Sequence, residues 1–217
     1  MTELDSVERR VLGALIEKER ATPQYPLTLN SLRLACNQTT AREPVVSYDD
    51  RTVEEALASL RAAGWTRIVY SPSNRAAKYR HVVDEVLGLD HSETAVLCVL
   101  LLRGAQTSGE IKGRSERLHT FADLKEVETT LEGLAARSDP LVVRLERRPG
   151  QKDARWSQML GGAPDEPVDR AVGADGGRSS VSEVAGQVSD LRTEVAQVRS
   201  ELDDLRRRFD ALLADLT

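Results

Sequence analysis

The apolar and polar positions fall into a grammar that is clearest between Asp90 and Leu160. Asp90-His91-Ser92-Glu93 precedes the apolar run Ala95 to Leu102, which stops at Arg103-Gly104. Thr107-Ser108-Gly109-Glu110 begins a second helical pattern and Asp123-Leu124-Lys125-Glu126 a third. At each start a short oxygen side chain is followed by Glu three residues later, and the pair can satisfy orphan backbone N–H groups. Leu141 to Arg148 then alternates towards a Pro149-Gly150 turn, and Arg155 to Leu160 can pair back as a second strand. Three helices followed by a two-stranded hairpin is the order of a winged helix.

Residues 4–83 read as an earlier copy of the same unit. Leu4-Asp5-Ser6-Val7-Glu8 parallels Leu89-Asp90-His91-Ser92-Glu93 and precedes Val11, Leu12, Leu15 and Ile16 at helical spacing. After a turn at Thr22 to Pro26, Leu29, Leu32 and Cys36 mark a second helix. Val53 to Leu60 matches Val127 to Leu134, and Gly64 closes that third helix by a left-handed cap. Trp65 to Tyr70 and Lys78 to Val83 are the strands of the first wing. The offset between copies falls from 85 at the first helix to 74 at the third. The difference lies in a longer connection, Asn37 to Asp50, in the first copy.

Past residue 160 the pattern changes twice. Gly161 to Ser179 is rich in Gly, Pro, Asp and Ala without periodicity and reads as a flexible linker. From Val181 to Leu216 apolar residues recur at alternating spacings of three and four, a heptad seam. Val188, Leu191, Val195, Val198, Leu202, Leu205, Phe209 and Leu212 are its dimerisation residues. Glu194 with Arg199, and Glu201 with Arg206, suit a parallel homodimer. A helix folded back on its own domains is the alternative. The expected chain is thus mainly α with small β hairpins (α+β): winged-helix domains at 1–83 and 84–160, a linker at 161–179 and a coiled-coil helix at 180–217.

Composition changes this picture little. Hydrophobic residues make up 40% and aromatics 4%, so Leu, Val and Ala carry the core, which favours helices. The longest apolar run falls far short of the roughly 20 residues of a membrane span, and Met1 to Asp5 has no signal-peptide features. No membrane association is expected. Cys36 and Cys98 lie in apolar helical patterns and read as buried thiols of a reducing compartment. The net charge of −5 is carried by the tail, where residues 161–217 hold seven Lys/Arg against twelve Asp/Glu. Residues 1–83 hold twelve against ten, and 84–160 eleven against thirteen. Two nearly neutral globular parts leave DNA binding to local clustering.

No catalytic constellation emerges. His81, His91 and His119 lie in different elements without metal-ligand spacing, and no Gly-rich phosphate loop is present. A non-enzymatic protein without a cofactor is expected. Cations cluster at the wings: Arg75, Lys78, Arg80 and His81 at the first, and Arg144, Arg147, Arg148, Lys152 and Arg155 at the second. They suit phosphate contacts, which position a protein without reading sequence. A solvated strand face is the bland alternative. The third helices instead expose carboxylates, Glu54 and Glu55 in one copy and Glu126, Glu128 and Glu132 in the other, which repel phosphates. The loop holding Asn37, Gln38 and Arg42 is dense in hydrogen-bonding groups. Bracing against its own backbone is the favoured reading, and a contact surface the other.

Ala21-Thr22-Pro23-Gln24-Tyr25-Pro26-Leu27-Thr28-Leu29-Asn30, running on through Ala35 to Val45, resembles the YceH-like family of uncharacterised bacterial proteins. So do Leu100 to Thr107 with Gly109-Glu110, then Phe121, Asp123-Leu124 and Glu126-Val127-Glu128, and the second-wing residues Pro149-Gly150-Gln151-Lys152 and Arg155. The resemblance covers about residues 4–160. It implies a tandem winged helix in a bacterial cytoplasm and carries no activity with it. The chain departs from the family at Thr39, where Lys is usual, and at Ser108, where Pro is common. Two functions remain open. One is a DNA-associated regulator dimerised through its coiled coil; the alternative is an adaptor whose acidic third helices dock a basic protein partner.

Overall fold

The structure is a computed structural model that describes residues 3–70, 76–147 and 150–162. Arg75, Arg148, the linker beyond Gly162 and the whole heptad seam lie outside the described residues. The chain is α+β, with about half of the described residues helical and two small antiparallel sheets.

The first half runs α1 (Ser6–Ala21), β1 (Leu27–Thr28), α2 (Leu29–Cys36), α3 (Asp50–Ala62), β2 (Thr66–Val69) and β3 (Lys78–His81). A short helix, α4 (Val83–Leu87), leads into the second half. There the order repeats as α5 (His91–Arg103), β4 (Gln106–Thr107), α6 (Ser108–Ser115), α7 (Leu124–Ala135), β5 (Val142–Arg144) and β6 (Arg155–Gln158). The sheets order alike, β1-β3-β2 and β4-β6-β5. In each half the strand between the first two helices pairs with the last strand of the hairpin, which ties the helices to the hairpin.

The helix starts follow from local chemistry. Asp5 with Glu8, Asp90 with Glu93, and Thr107 with Glu110 form reciprocal capping boxes. At α7 only half of that device forms. Asp123 accepts from the Glu126 backbone N–H, but the Glu126 side chain reaches one residue further back to the Ala122 N–H. The hairpin strands are shorter than the alternation predicts. β5 ends at Arg144, with one further bond from Leu145 N to Arg155 O. The two-residue strands β1 and β4 and the helix α4 are not legible as elements in the sequence.

The halves share one continuous core. Its centre is the packing of α1 on α5. From Thr94 to Leu102 every residue of α5 is buried, as a helix enclosed on all sides requires. Gly13 lets the two helices approach: a Cβ there would sit 2.9 Å from Leu102 Cγ and 3.1 Å from Leu101 Cβ. The Cys98 thiol donates to Gly13 O across the same crossing. Two backbone bonds reinforce it, Leu4 N to Leu160 O and Glu43 N to Leu102 O. Among the described residues no helix is long and apolar enough to cross a membrane.

Candidate functional site

The second hairpin, where the sequence predicts a wing, presents its cations to solvent. Trp156, buried in the β4-β6-β5 sheet, anchors it, and the Arg144 guanidinium lies 5.9 Å from the indole ring centre. Pairing Arg144 with Trp156 across the ladder brings the two together. Arg144, Arg147 and Lys152 are exposed. Arg147 Nη1 donates to Lys152 O at 3.4 Å. Arg155 is half-buried and pairs with Thr107, so it borders the start of α6. Among the described residues no ion pair joins Arg144, Arg147, Lys152 or Arg155 to a carboxylate.

Beside this wing runs a groove of about 460 Å³, lined by Gln106, Glu110, Arg114, Lys152, Arg155 and, from the first half, Glu43. Gln106 is buried and its Nε2 donates to Arg103 O and Ala105 O, while its Oε1 has no partner among the described residues. The two halves place Gln106 where the first has Leu27, since each pairs with the aromatic residue of the last strand, Trp156 and Tyr79. Gln106 was missed from sequence. The matching helix caps Thr28 and Thr107 could have revealed it, because they put a Gln opposite a Leu at a core position.

The first hairpin is arranged differently. Lys78 and Arg80 are half-buried, and Arg80 Nη1 donates to Glu85 Oε1 of α4 at 2.8 Å. Arg67 Nη1 lies 3.4 Å from the other Glu85 oxygen. The Arg80 guanidinium therefore holds the Glu85 carboxyl below the usual carboxylate range. His81 is fully buried. Its backbone N–H donates to the Tyr25 hydroxyl, its Nε2 is 2.9 Å from Glu19 Oε2, and its Nδ1 is 3.5 Å from Asp84. The bond to His81 pulls the Glu19 carboxyl down, and burial pushes the Tyr25 phenol up. His81 is thus a bolt between α1 and the base of the wing, not part of a cationic surface.

The loop after α2 turns its polar groups inward. Asn37 brackets the Tyr48 peptide: Nδ2 donates to Tyr48 O and Oδ1 accepts from Tyr48 N, each at 2.8 Å. Gln38 Oε1 accepts from Lys18 Nζ and from Arg42 Nη2. Arg42 is only 6% exposed, and its guanidinium donates to Ala35 O, Ala41 O and both Glu17 oxygens. Burial alone raises the Glu17 carboxyl, yet Arg42 outweighs it and the carboxyl lies below its ordinary range. Arg10 adds bonds to Cys36 O and Pro44 O. Burial pushes the Cys36 thiol up to about 12, which keeps it protonated and unreactive. Bracing is what these three side chains do in the fold.

On the third helices, Glu54, Glu55, Ser59 and Arg61 of α3 are exposed, as are Lys125, Glu128, Thr129 and Glu132 of α7. Glu55 takes Arg51 at 2.8 Å and Asp50 takes Arg33 at 2.6 Å. Both helices bury one apolar stripe and present a face on which carboxylates outnumber cations.

Two repeated helical units, each closed by a small three-stranded antiparallel sheet, define the architecture. The chain belongs to the family described as "Protein of unknown function, DUF480", which matches residues 4–151. It is 46% identical over 180 residues to a UPF0502 protein of Citrifermentans bemidjiense, covering 80% of this chain and 83% of that one. A UPF0502 protein of Geobacter sulfurreducens is 48% identical, with 82% of each chain covered. One from Geobacter metallireducens is 50% identical over 165 residues, covering 76% of this chain and 75% of the other. The resemblance read from the Ala21 to Val45 and Leu100 to Val127 motifs is to this same uncharacterised family.

Proposed function

We propose that each half is a winged helix and that the protein is a non-enzymatic, DNA-associated regulator of the bacterial cytoplasm. The heptad seam through Val188 to Leu212 holds it as a parallel homodimer. The repeated order of helix, strand, helix, helix and two-stranded wing, with the same strand order in both sheets, supports the fold assignment. The observation that carries the function is the second wing, where Arg144, Arg147 and Lys152 are exposed without carboxylate partners among the described residues. Arg155 lies at their base. Such a set meets phosphates and positions the protein on a duplex, while the acidic third helices leave base reading weak.

The test is fluorescence anisotropy on several duplexes at low and moderate salt. Wild type binds them all with similar affinity and a steep salt dependence. Arg147→Ala with Lys152→Ala weakens every duplex alike and flattens the log–log salt slope by about two per protomer. A wild type that binds no duplex at low salt removes the reading. Exposed Glu54, Glu128 and Glu132 favour a second reading, an adaptor that docks a basic protein partner. Under it Glu54→Gln with Glu128→Gln loosens a protein complex; under the DNA reading the same pair tightens duplex binding by removing repulsion.

A further inference from the structure

We propose that Arg67 and Arg80 form a second phosphate seat for a DNA duplex, filled in the free protein by the carboxylate of Glu85. This rests on the DNA reading above and adds to it a site on the first wing and the group that closes it.

The geometry is specific. Arg67 and Arg80 are direct Cα partners in the β2–β3 ladder. Period-2 alternation puts both side chains on one face, opposite to that of Tyr79 and His81. Like charges directly across a ladder repel, and an anion between them relieves that repulsion. Glu85 supplies it with one oxygen per guanidinium: Oε1 to Arg80 at 2.8 Å and Oε2 to Arg67 at 3.4 Å. A phosphodiester presents the same two-oxygen face, and paired guanidinium groups suit it better than ammonium groups do.

Glu85 is held by little. It is exposed, and it stands on the five-residue helix α4, whose only buried residue is Val83 and whose start has no side-chain cap. Exposed ion pairs of this kind are weak, so the carboxylate is displaceable rather than structural. The second half shows what the pair is not needed for. The equivalent positions there are Val143 and Ser157, themselves ladder partners, so that hairpin forms without two cations facing each other at this rung. The arginine pair is therefore an addition to the wing. Its neighbour Glu19 is engaged by His81 Nε2 at 2.9 Å, and Glu85 is the carboxylate within ion-pair distance of both guanidinium groups.

The experiment compares salt-dependent duplex anisotropy of the full chain and its variants, with thermal melts to verify folding. Glu85→Gln is expected to tighten binding about threefold to tenfold at low salt and to steepen the log–log slope by about two per protomer, one unit per freed cation. Adding Arg67→Ala and Arg80→Ala to that variant returns both quantities to wild type. The same double alanine change in the wild-type background leaves binding within about twofold, because the seat is already filled. Unchanged affinity and slope in folded Glu85→Gln, while wild type binds, overturn the seat and leave the DNA reading intact. A wild-type loss on Arg67→Ala with Arg80→Ala equal to that of the second-wing variant overturns the closure by Glu85. Absence of duplex binding in wild type and Glu85→Gln alike overturns both.

Discussion

The two halves share an order of elements and divide the work between them. The first spends its polar side chains on itself. Arg42, Arg10 and Asn37 brace the long loop after α2, His81 bolts the β2–β3 hairpin to α1, and Glu85 covers that hairpin's arginine pair. The second half makes do with a shorter connection and an all-buried helix, α5, and leaves Arg144, Arg147 and Lys152 facing solvent. A duplicated unit has room for this. One copy can take on support while the other keeps a presented surface, because α1 and α5 fuse both into one core.

That fusion is where the largest effect is expected. Gly13→Leu puts a side chain where Leu102 and Leu101 already stand within 2.9 and 3.1 Å of a Cβ. Overpacking of this kind costs about 3 kcal/mol, or roughly 6–12 °C in Tm for a domain of this size. A calorimetric melt should show one transition that moves as a whole. Two separated transitions would break the claim that the halves stand or fall together.

Next comes the bracing of the first half. Arg42→Met leaves the Glu17 carboxylate and Ala35 O without their main donor, and breaking a buried pair this way costs about 3 kcal/mol. The effect should be local. Hydrogen exchange should quicken across Asn37 to Asp49 while α6 and α7 keep their protection. Equal loosening of both halves would show that the brace serves the whole body and not its own loop.

Acid tests the same asymmetry more gently. The folded-state carboxyls of Glu17 and Glu19 lie below their ordinary range, Glu17 through Arg42 against the pull of burial and Glu19 through its bond to His81. A depressed carboxyl adds stability that is complete above its unfolded value of about 4.3 and is lost as pH falls through the folded value. Both residues belong to α1. Exchange at the first-half loop should therefore rise below about pH 4.3 before the second half responds, and Glu17→Gln should flatten that dependence.

How much of this could be read from the chain alone depends on the range of each interaction. The capping boxes at Asp5, Asp90 and Thr107 and the Gly64 stop were legible because each acts within four residues. The apolar stripes of α3 and α7 and the run in α5 were legible from their spacing. β1 and β4 were not, since two residues carry no period. Nor was the docking of α1 on α5: a Gly amid apolar residues says that something comes close, not what. The site suffered most. Arg80 looks like a free cation until α4 brings Glu85 onto it, and the Arg42 loop reads as braced without showing that Glu17 of α1 is the acceptor. Local pattern reports that a residue is charged; only the fold reports whether that charge is spent.

The smallest effect concerns the one core position where the second half is the more polar. Gln106 replaces Leu27 of the first half, at the same place beside the last strand. Its Nε2 gains two backbone bonds, but its buried Oε1 has no partner among the described residues, and an unsatisfied buried acceptor costs about 1–3 kcal/mol. Gln106→Leu copies the first half's solution. It removes the orphan acceptor and adds apolar burial, and it gives up the bonds to Arg103 O and Ala105 O. These nearly cancel, with a net gain of up to about 1 kcal/mol expected. A chemical denaturation curve resolves that, since the midpoint should rise slightly with an unchanged slope. A loss of more than about 1 kcal/mol would mean that Oε1 has a partner in solution, and that this position is not a relic of the apolar one across the repeat.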